Sequence, residues 1–179
     1  PLLSYIDETA KQIGAVNTVK IIDTTNFILH GFNTDVFGFE ESIKPYLKKN
    51  HKKALILGTG GASKAVTFVL KKLGITYSFV SRNHSNIQNT CTYSEVNEET
   101  IHNHQIIINT TPVGMFPNIS QMPDIPYQFL TKEHFLYDLI YNPKETFFLK
   151  EGRKKEAIIC NGEKMLYLQA EKSWQIWNS

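Results

Sequence analysis

From Ala54 onward, short continuous apolar runs alternate with segments whose apolar residues recur at helical spacing. "ALILG" is one such run, as expected of a parallel strand buried on both faces. Ala62, Ala65, Val66, Val69, Leu70 and Leu73 then fall on one helical face, and Gly74 stands where a helix C-terminus favours a left-handed residue. Further apolar runs follow at "TYSFVS", "QIIINT", "HFLYDLIY" and "EAIICNG". This alternation predicts the α/β class, as a doubly wound, Rossmann-like parallel sheet with right-handed crossovers.

The pattern upstream is different. "GAVNTVKII" and "FILHGFN" read as two strands joined by the polar turn "DTTN". "TDVFGFEESIKPYLKKN" sets Phe39, Ile43, Tyr46 and Leu47 at helical spacing, with Pro45 kinking or ending that helix. At the other end, "GEKMLYLQAEKSWQIW" predicts a helix that packs through Met165, Leu168, Trp174 and Trp177. Phe147 and Phe148 are assigned to the core.

Composition narrows the function classes. With 41% hydrophobic and 20% charged residues, the 179-residue chain has the make-up of a soluble globular protein. Its net charge of +2 makes no electrostatic case for nucleic acid or an anionic membrane. No apolar run approaches the roughly 20 residues that cross a bilayer, and the first residues lack a signal-peptide design, so a cytoplasmic location is expected. Cys91 and Cys160 are far apart in sequence and are expected to be free thiols in a reducing compartment. "IHNHQ" offers two histidines without a neighbouring carboxylate or cysteine, so no metal site is expected.

The candidate chemistry begins after the "ALIL" strand. "GTGGAS" has the strand–G-x-G-x-x-small–helix form of a dinucleotide loop. Gly58 supplies the tight turn, Gly60 lets the backbone approach a pyrophosphate, and the helix N-terminus stabilises that anion. Ser63 takes the third glycine position. At the end of the next strand, where NAD enzymes place an acid for the ribose hydroxyls, the chain has Arg82 in "VSRNHSN". A guanidinium pairs with the 2′-phosphate of NADP, and Ser81, Asn83, Ser85 and Asn86 offer neutral donors beside it. The competing reading is an ordinary surface arginine. Arg82 also argues against a methyltransferase that binds adenosylmethionine at the same glycines.

Seven motifs, "GAVNT", "NTDVFGF", "GTGGASKAV", "VSRN", "NTTPVGM", "YDLIYNP-x-x-T" and "NGEKMLYLQA", resemble the shikimate dehydrogenase family in order and approximate spacing, from about Gly14 to the end of the chain. The resemblance implies NADP-dependent, reversible reduction of 3-dehydroshikimate to shikimate, in the chorismate pathway of aromatic amino-acid biosynthesis. It implies Asp35 as the catalytic-pair aspartate and as a substrate contact, with Asn17, Tyr141 and Gln169 also binding substrate. It implies Gly58, Thr59, Gly60, Gly61 and Ala62 as the pyrophosphate loop, Ser81, Arg82 and Asn83 as the adenosine-phosphate clamp, and Leu139 and Gly162 beside the nicotinamide. Each has a plainer reading: Asp35 as a helix cap, Asn17 as a backbone partner, Tyr141 as the end of a core strand, Gln169 as a solvated helix residue.

One family feature is missing. Members carry a catalytic lysine about twenty residues before the asparagine matched by Asn17, and the sequence begins after that point. Lys11 is only six residues away and does not take the role. The expectation is therefore a truncated or processed chain, with a naturally short member as the alternative. Residues 1–34 would be a remnant of an N-terminal α/β substrate domain, 35–160 the NADP-binding domain with its connecting helix, and 161–179 a helix packing back towards the substrate side. Such a chain is expected to bind NADP(H), to turn shikimate over negligibly, and to be at risk of homodimerisation through its uncovered strands. A non-catalytic NADP-binding module and a quinate-preferring relative are the alternatives.

Overall fold

A computed structural model of the chain describes residues 2–83 and 87–179. Nine strands and six α-helices are described. β1 (Tyr5–Ile6), β2 (Thr18–Asp23) and β3 (Ile28–Phe32) make a small sheet of order β1-β3-β2, with β3 parallel to β1 and antiparallel to β2. β4 (Lys53–Leu57), β5 (Thr76–Ser81), β6 (Thr90–Thr92), β7 (Ile106–Asn109), β8 (Phe135–Asp138) and β9 (Ile158–Cys160) make the large one. Its order is β6-β5-β4-β7-β8-β9 and every pairing is parallel. That is the doubly wound order, which reverses direction between β4 and β7 and opens a crevice at their carboxyl ends.

Strand alternation divides the core between the two faces of the large sheet. Ala54 and Ile56, Ile106 and Ile108, Phe135 and Tyr137 point to one face, where α2 (Asp35–Ile43) and α3 (Gly61–Lys72) cover them through Phe39, Ile43, Val66, Val69 and Leu70. Leu55, Leu57, Ile107 and Leu136 point to the other, against α4 (Glu98–Asn103), through Ile101, and α5 (Phe147–Lys154), through Phe148 and Leu149. Both faces being apolar explains why β4, β7 and β8 read as unbroken runs. Each fully buried Leu, Ile or Phe is worth roughly 1.5–3 kcal/mol in removal from water.

The expectations for Gly74, Pro45 and the two cysteines hold. Gly74 follows α3 with φ of +69°, and Pro45 lies in a 3₁₀ turn, Lys44–Tyr46, that ends α2. Cys91 and Cys160 are free. Among the described residues, no helix is long and apolar enough to cross a membrane. The histidines of "IHNHQ" have local roles: His104 is buried, with its ring nitrogens on the Thr100 carbonyl (2.7 Å) and the Ser78 hydroxyl (3.2 Å), and His102 is exposed.

Others need correction. In α6 (Glu163–Trp177), Trp174 and Trp177 are not core residues: they are 66% and 52% exposed. The inner stripe is instead Met165, which packs on the core, with Gln169 and Ser173, which bond across to α2 and β2 where the helices cross closely at Gly38. A Cβ on Gly38 would lie 2.7 Å from the Met165 carbonyl oxygen and 3.0 Å from the Gln169 Cβ. Phe148 is buried, but Phe147 is 40% exposed at the start of α5; Tyr46 is partly exposed and stacks its ring on the buried Phe135.

Candidate active site

The glycine loop joins the end of β4 to the start of α3. Gly58 has φ of +100°, and a Cβ there would meet Thr111 Cγ2 at 2.7 Å, so this turn requires glycine for both conformation and space. Gly60 and Gly61 have no neighbouring atom within 4 Å of where a Cβ would stand. Gly60 is the N-cap residue of α3, and no side chain caps the amides of the helix's first turn there. Ser63 is buried and its hydroxyl donates to the Gly60 carbonyl at 2.7 Å, so a small residue indeed fills the third position.

A cleft of about 670 Å³ lies over this loop at the carboxyl ends of β4, β5 and β7. It is lined by Gly58, Thr59 and Gly60, by Ser81 and Arg82 from β5 and its end, and by the "TTPV" segment after β7. Arg82 is exposed, and among the described residues it has no carboxylate partner. Asn83 follows it on the surface, whereas Ser85 and Asn86 lie outside the described residues. Open space, a helix N-terminus without a side-chain cap and a guanidinium with no carboxylate partner among the described residues suit a phosphorylated dinucleotide.

A second cleft of about 360 Å³ gathers Asn17, Asp35, Ala62, Leu139, Tyr141, Gly162 and Gln169, with Met165 and Leu166. Residues from the small sheet, α2, the glycine loop, the β8 end and α6 thus meet in one place. Asp35 is the first residue of α2 and does not cap it, because the Val36 amide donates instead to Asn33 Oδ1 at 3.3 Å. Burial raises its pKa, opposed by a hydrogen bond from the Asn17 side chain. Among the described residues, no cationic side chain lines this cleft. Lys11 is elsewhere, 3.9 Å from Glu8 and over the Tyr5 ring.

The Asn17 amide is oriented by its oxygen. Oδ1 accepts from the Thr34 amide at 2.9 Å and from the Thr18 and Thr34 hydroxyls at 3.1 and 3.2 Å, which leaves the NH₂ group for the cleft. Thr18 and Thr34 both reach the buried Ser173 hydroxyl, at 2.8 and 3.0 Å, and Ser173 donates to the Gln169 carbonyl at 2.9 Å. The Thr34 hydroxyl also lies 3.3 Å from Gln169 Oε1, an alternative acceptor for its one proton. This hydroxyl cluster fastens α6 to β2 and α2, and it fixes both amides. Tyr141 is half-exposed beyond the end of β8 and is no core residue. A Cβ on Gly162 would stand 2.0 Å from the Leu139 carbonyl oxygen, so these two backbones form the wall between them.

Sequence reasoning missed a further group. Asp138, fully buried at the end of β8, accepts from Thr146 Oγ1 at 2.6 Å, Asn109 Nδ2 at 3.0 Å and the Ile140 amide at 3.1 Å. Burial raises its pKa to about 6 against these three bonds. Asn109 Oδ1 in turn accepts from the Thr111 amide and hydroxyl at 3.0 and 2.6 Å, so the buried carboxylate sets the segment that walls the larger cleft. Its signal was present in "YDLIY", as an acid ending an apolar run.

No protein-family model matches the chain. It is 40% identical over 190 residues to the shikimate dehydrogenase (NADP(+)) of Caldanaerobacter subterraneus, covering 98% of this chain and 66% of that protein. It is 40% identical to the same enzyme of Methanococcus maripaludis, over 98% of this chain and 68% of that one. The chain therefore spans about two thirds of the length of such relatives. Among solved structures, shikimate 5-dehydrogenase of Thermus thermophilus, in complex with NADP(H) and shikimate, superimposes with a TM-score of 0.79 at 31% identity, over 98% of this chain and 66% of that one.

Proposed function

The chain belongs to the shikimate dehydrogenase family, and from that premise we propose that it carries the NADP(H) site and part of the substrate site of an NADP-dependent shikimate dehydrogenase. One observation carries this reading: the run Gly58–Ala62 lines both clefts, through Gly58, Thr59 and Gly60 in the larger and Ala62 in the smaller. That run would hold the pyrophosphate of a dinucleotide, with the second cleft's Ala62, Leu139 and Gly162 lying where its nicotinamide end would be received. NADP(H), when bound, supplies or accepts the hydride. The amides of Asn17 and Gln169 and the Tyr141 hydroxyl hold the hydroxyls of a polyhydroxylated ring acid, while Leu139 and Gly162 form the wall beside the nicotinamide.

Asp35 holds or takes the proton of the reacting oxygen, and its burial keeps a larger protonated fraction than an exposed aspartate has. Without a cation beside it, that carboxyl has no partner to stabilise a developing alkoxide. We propose accordingly that the 179 residues alone bind NADP(H) but oxidise shikimate negligibly. Residues 1–34 and 161–179 would form the substrate side and 35–160 the cofactor side. Two free cysteines suit a reducing, cytoplasmic setting.

Titration of NADPH fluorescence and a shikimate turnover assay test the proposal. Saturable NADPH binding is expected, weakened about tenfold or more by Arg82→Glu, since a charge-assisted contact is worth about 1.5–3 kcal/mol. Absence of binding overturns the cofactor reading. Turnover close to that of a full-length relative overturns the inactivity.

A further inference from the structure

Arg82 is the only lysine or arginine between Lys72 and Lys132, so the cation that meets the adenosine end of the larger cleft stands alone in a long stretch of sequence. The same cleft has an acid in its wall. Asp124 lines it together with Arg82 and Tyr93, and it is exposed. Tyr93 feels both charges: burial raises its pKa, Arg82 lowers it and Asp124 raises it again. The guanidinium and the carboxylate are therefore both within electrostatic reach of one phenol.

The backbone on either side of Asp124 is tied into the fold. The buried Tyr127 hydroxyl donates to the Pro123 carbonyl at 2.6 Å, and the Ile125 amide donates to the same oxygen at 3.0 Å. Ile125 and Tyr127 on its C-terminal side are core residues of the second face. The Arg82 side is anchored by the pairing of Ser81 with Thr92, directly before Tyr93. Both charges thus stand on backbone segments tied into the fold, and both line the one cleft.

Resting on the cofactor reading above, we propose that Asp124 is a specificity-determining residue: its negative charge offsets the attraction of Arg82 for the 2′-phosphate, so that the chain accepts the unphosphorylated dinucleotide alongside NADP(H). A 2′-phosphate brings nearly two negative charges into this part of the cleft, whereas the ribose hydroxyls of NAD(H) bring none. Repulsion from Asp124 acts on the first and spares the second.

The test compares NADPH and NADH affinities for the wild-type chain, Asp124→Asn and Arg82→Glu by fluorescence titration at low and high salt. Asp124→Asn preserves size at an exposed position. It is expected to raise preference for NADPH over NADH by about threefold to tenfold at low salt, with the gain shrinking towards 1 M salt as screening shortens to about 3 Å. An unchanged ratio overturns the inference, as does an equal gain for both cofactors, which would place the effect on the shared pyrophosphate. If Arg82→Glu shifts the ratio and Asp124→Asn does not, this inference falls and the cofactor reading stands. If the wild type binds neither cofactor, both fall.

Discussion

Position 162 has no room for a methyl group, whereas position 60 has nothing but room. A Cβ on Gly162 would overlap the Leu139 carbonyl group, 2.0 Å from its oxygen and 2.6 Å from its carbon. The two glycines are therefore present for opposite reasons, one for packing and one for ligand approach. Gly162→Ala must displace backbone, which costs about 1–3 kcal/mol in overpacked sites, and it would lower the urea midpoint. Gly60→Ala has an ordinary φ of −79° and open space around it. Its midpoint should stay within about 0.5 kcal/mol of wild type while NADPH affinity falls, because the methyl occupies the approach of the pyrophosphate. Denaturation and NADPH titration on both variants check the pair, and a cofactor effect without a stability effect at Gly162 would reverse the assignment.

Elements separate what the sequence could reveal from what it could not. The parallel strands were legible because burial on both faces leaves unbroken apolar runs, and α3 was legible from its single stripe. The inner face of α6 was not. Its contacts are hydroxyls and amides, and Ser173 meets Thr18 across 155 residues of sequence, a pairing with no local trace. The tryptophans drew the assignment because they are the largest apolar groups on the helix, yet Trp177 lies over the β2 edge, where its Nε1 donates to the Val19 carbonyl at 2.9 Å. In the cleft, Asn17, Asp35, Tyr141 and Gln169 were reached through motif resemblance alone, since each has a plain structural reading taken singly. The small sheet also carries a consequence for association. Val19, Ile21 and Ile22 on β2 and Phe27 in the turn are exposed, with Ile21 at 62% and Phe27 at 77%. Homodimerisation through this strand is the expected outcome, since a row of apolar side chains on an edge strand favours pairing. Light scattering should give a mass that rises with concentration, and Ile21→Lys should hold it at the monomer value; a wild-type mass independent of concentration excludes the dimer.

At the scale of the molecule, the buried Asp138 carboxyl makes stability depend on pH. Its pKa, about 6 in the folded chain, lies above the roughly 3.9 of an unfolded aspartate, so the native state binds the proton more tightly. Its contribution to stability is therefore fully present below about pH 4 and is lost as pH rises through about 6. A shift of about two pKa units corresponds to on the order of 3 kcal/mol. His51 and His104 act in the opposite sense. Burial lowers both pKa values, so acidification below the ordinary histidine range charges them more readily in the unfolded chain and weakens the fold. Glu40, which burial would push up, is held below its ordinary value by Lys44 and Lys72 at 2.8 and 2.7 Å, and its contribution is lost as pH falls through that lowered value. The net melting curve mixes these terms, but comparison with Asp138→Asn isolates one. Asparagine retains one acceptor oxygen and no titration, so the variant should be offset from wild type by a constant amount above about pH 7. From about pH 6 down to about pH 4 the wild type should gain on it, by roughly 2–4 °C of Tm for each kcal/mol. Thermal melts of the two proteins across pH 4 to 8 check this. Parallel curves throughout would mean that Asp138 is ionised in the fold with an ordinary affinity for its proton, and that the Asn109–Thr111 wall of the cofactor cleft is set without a proton held beneath it.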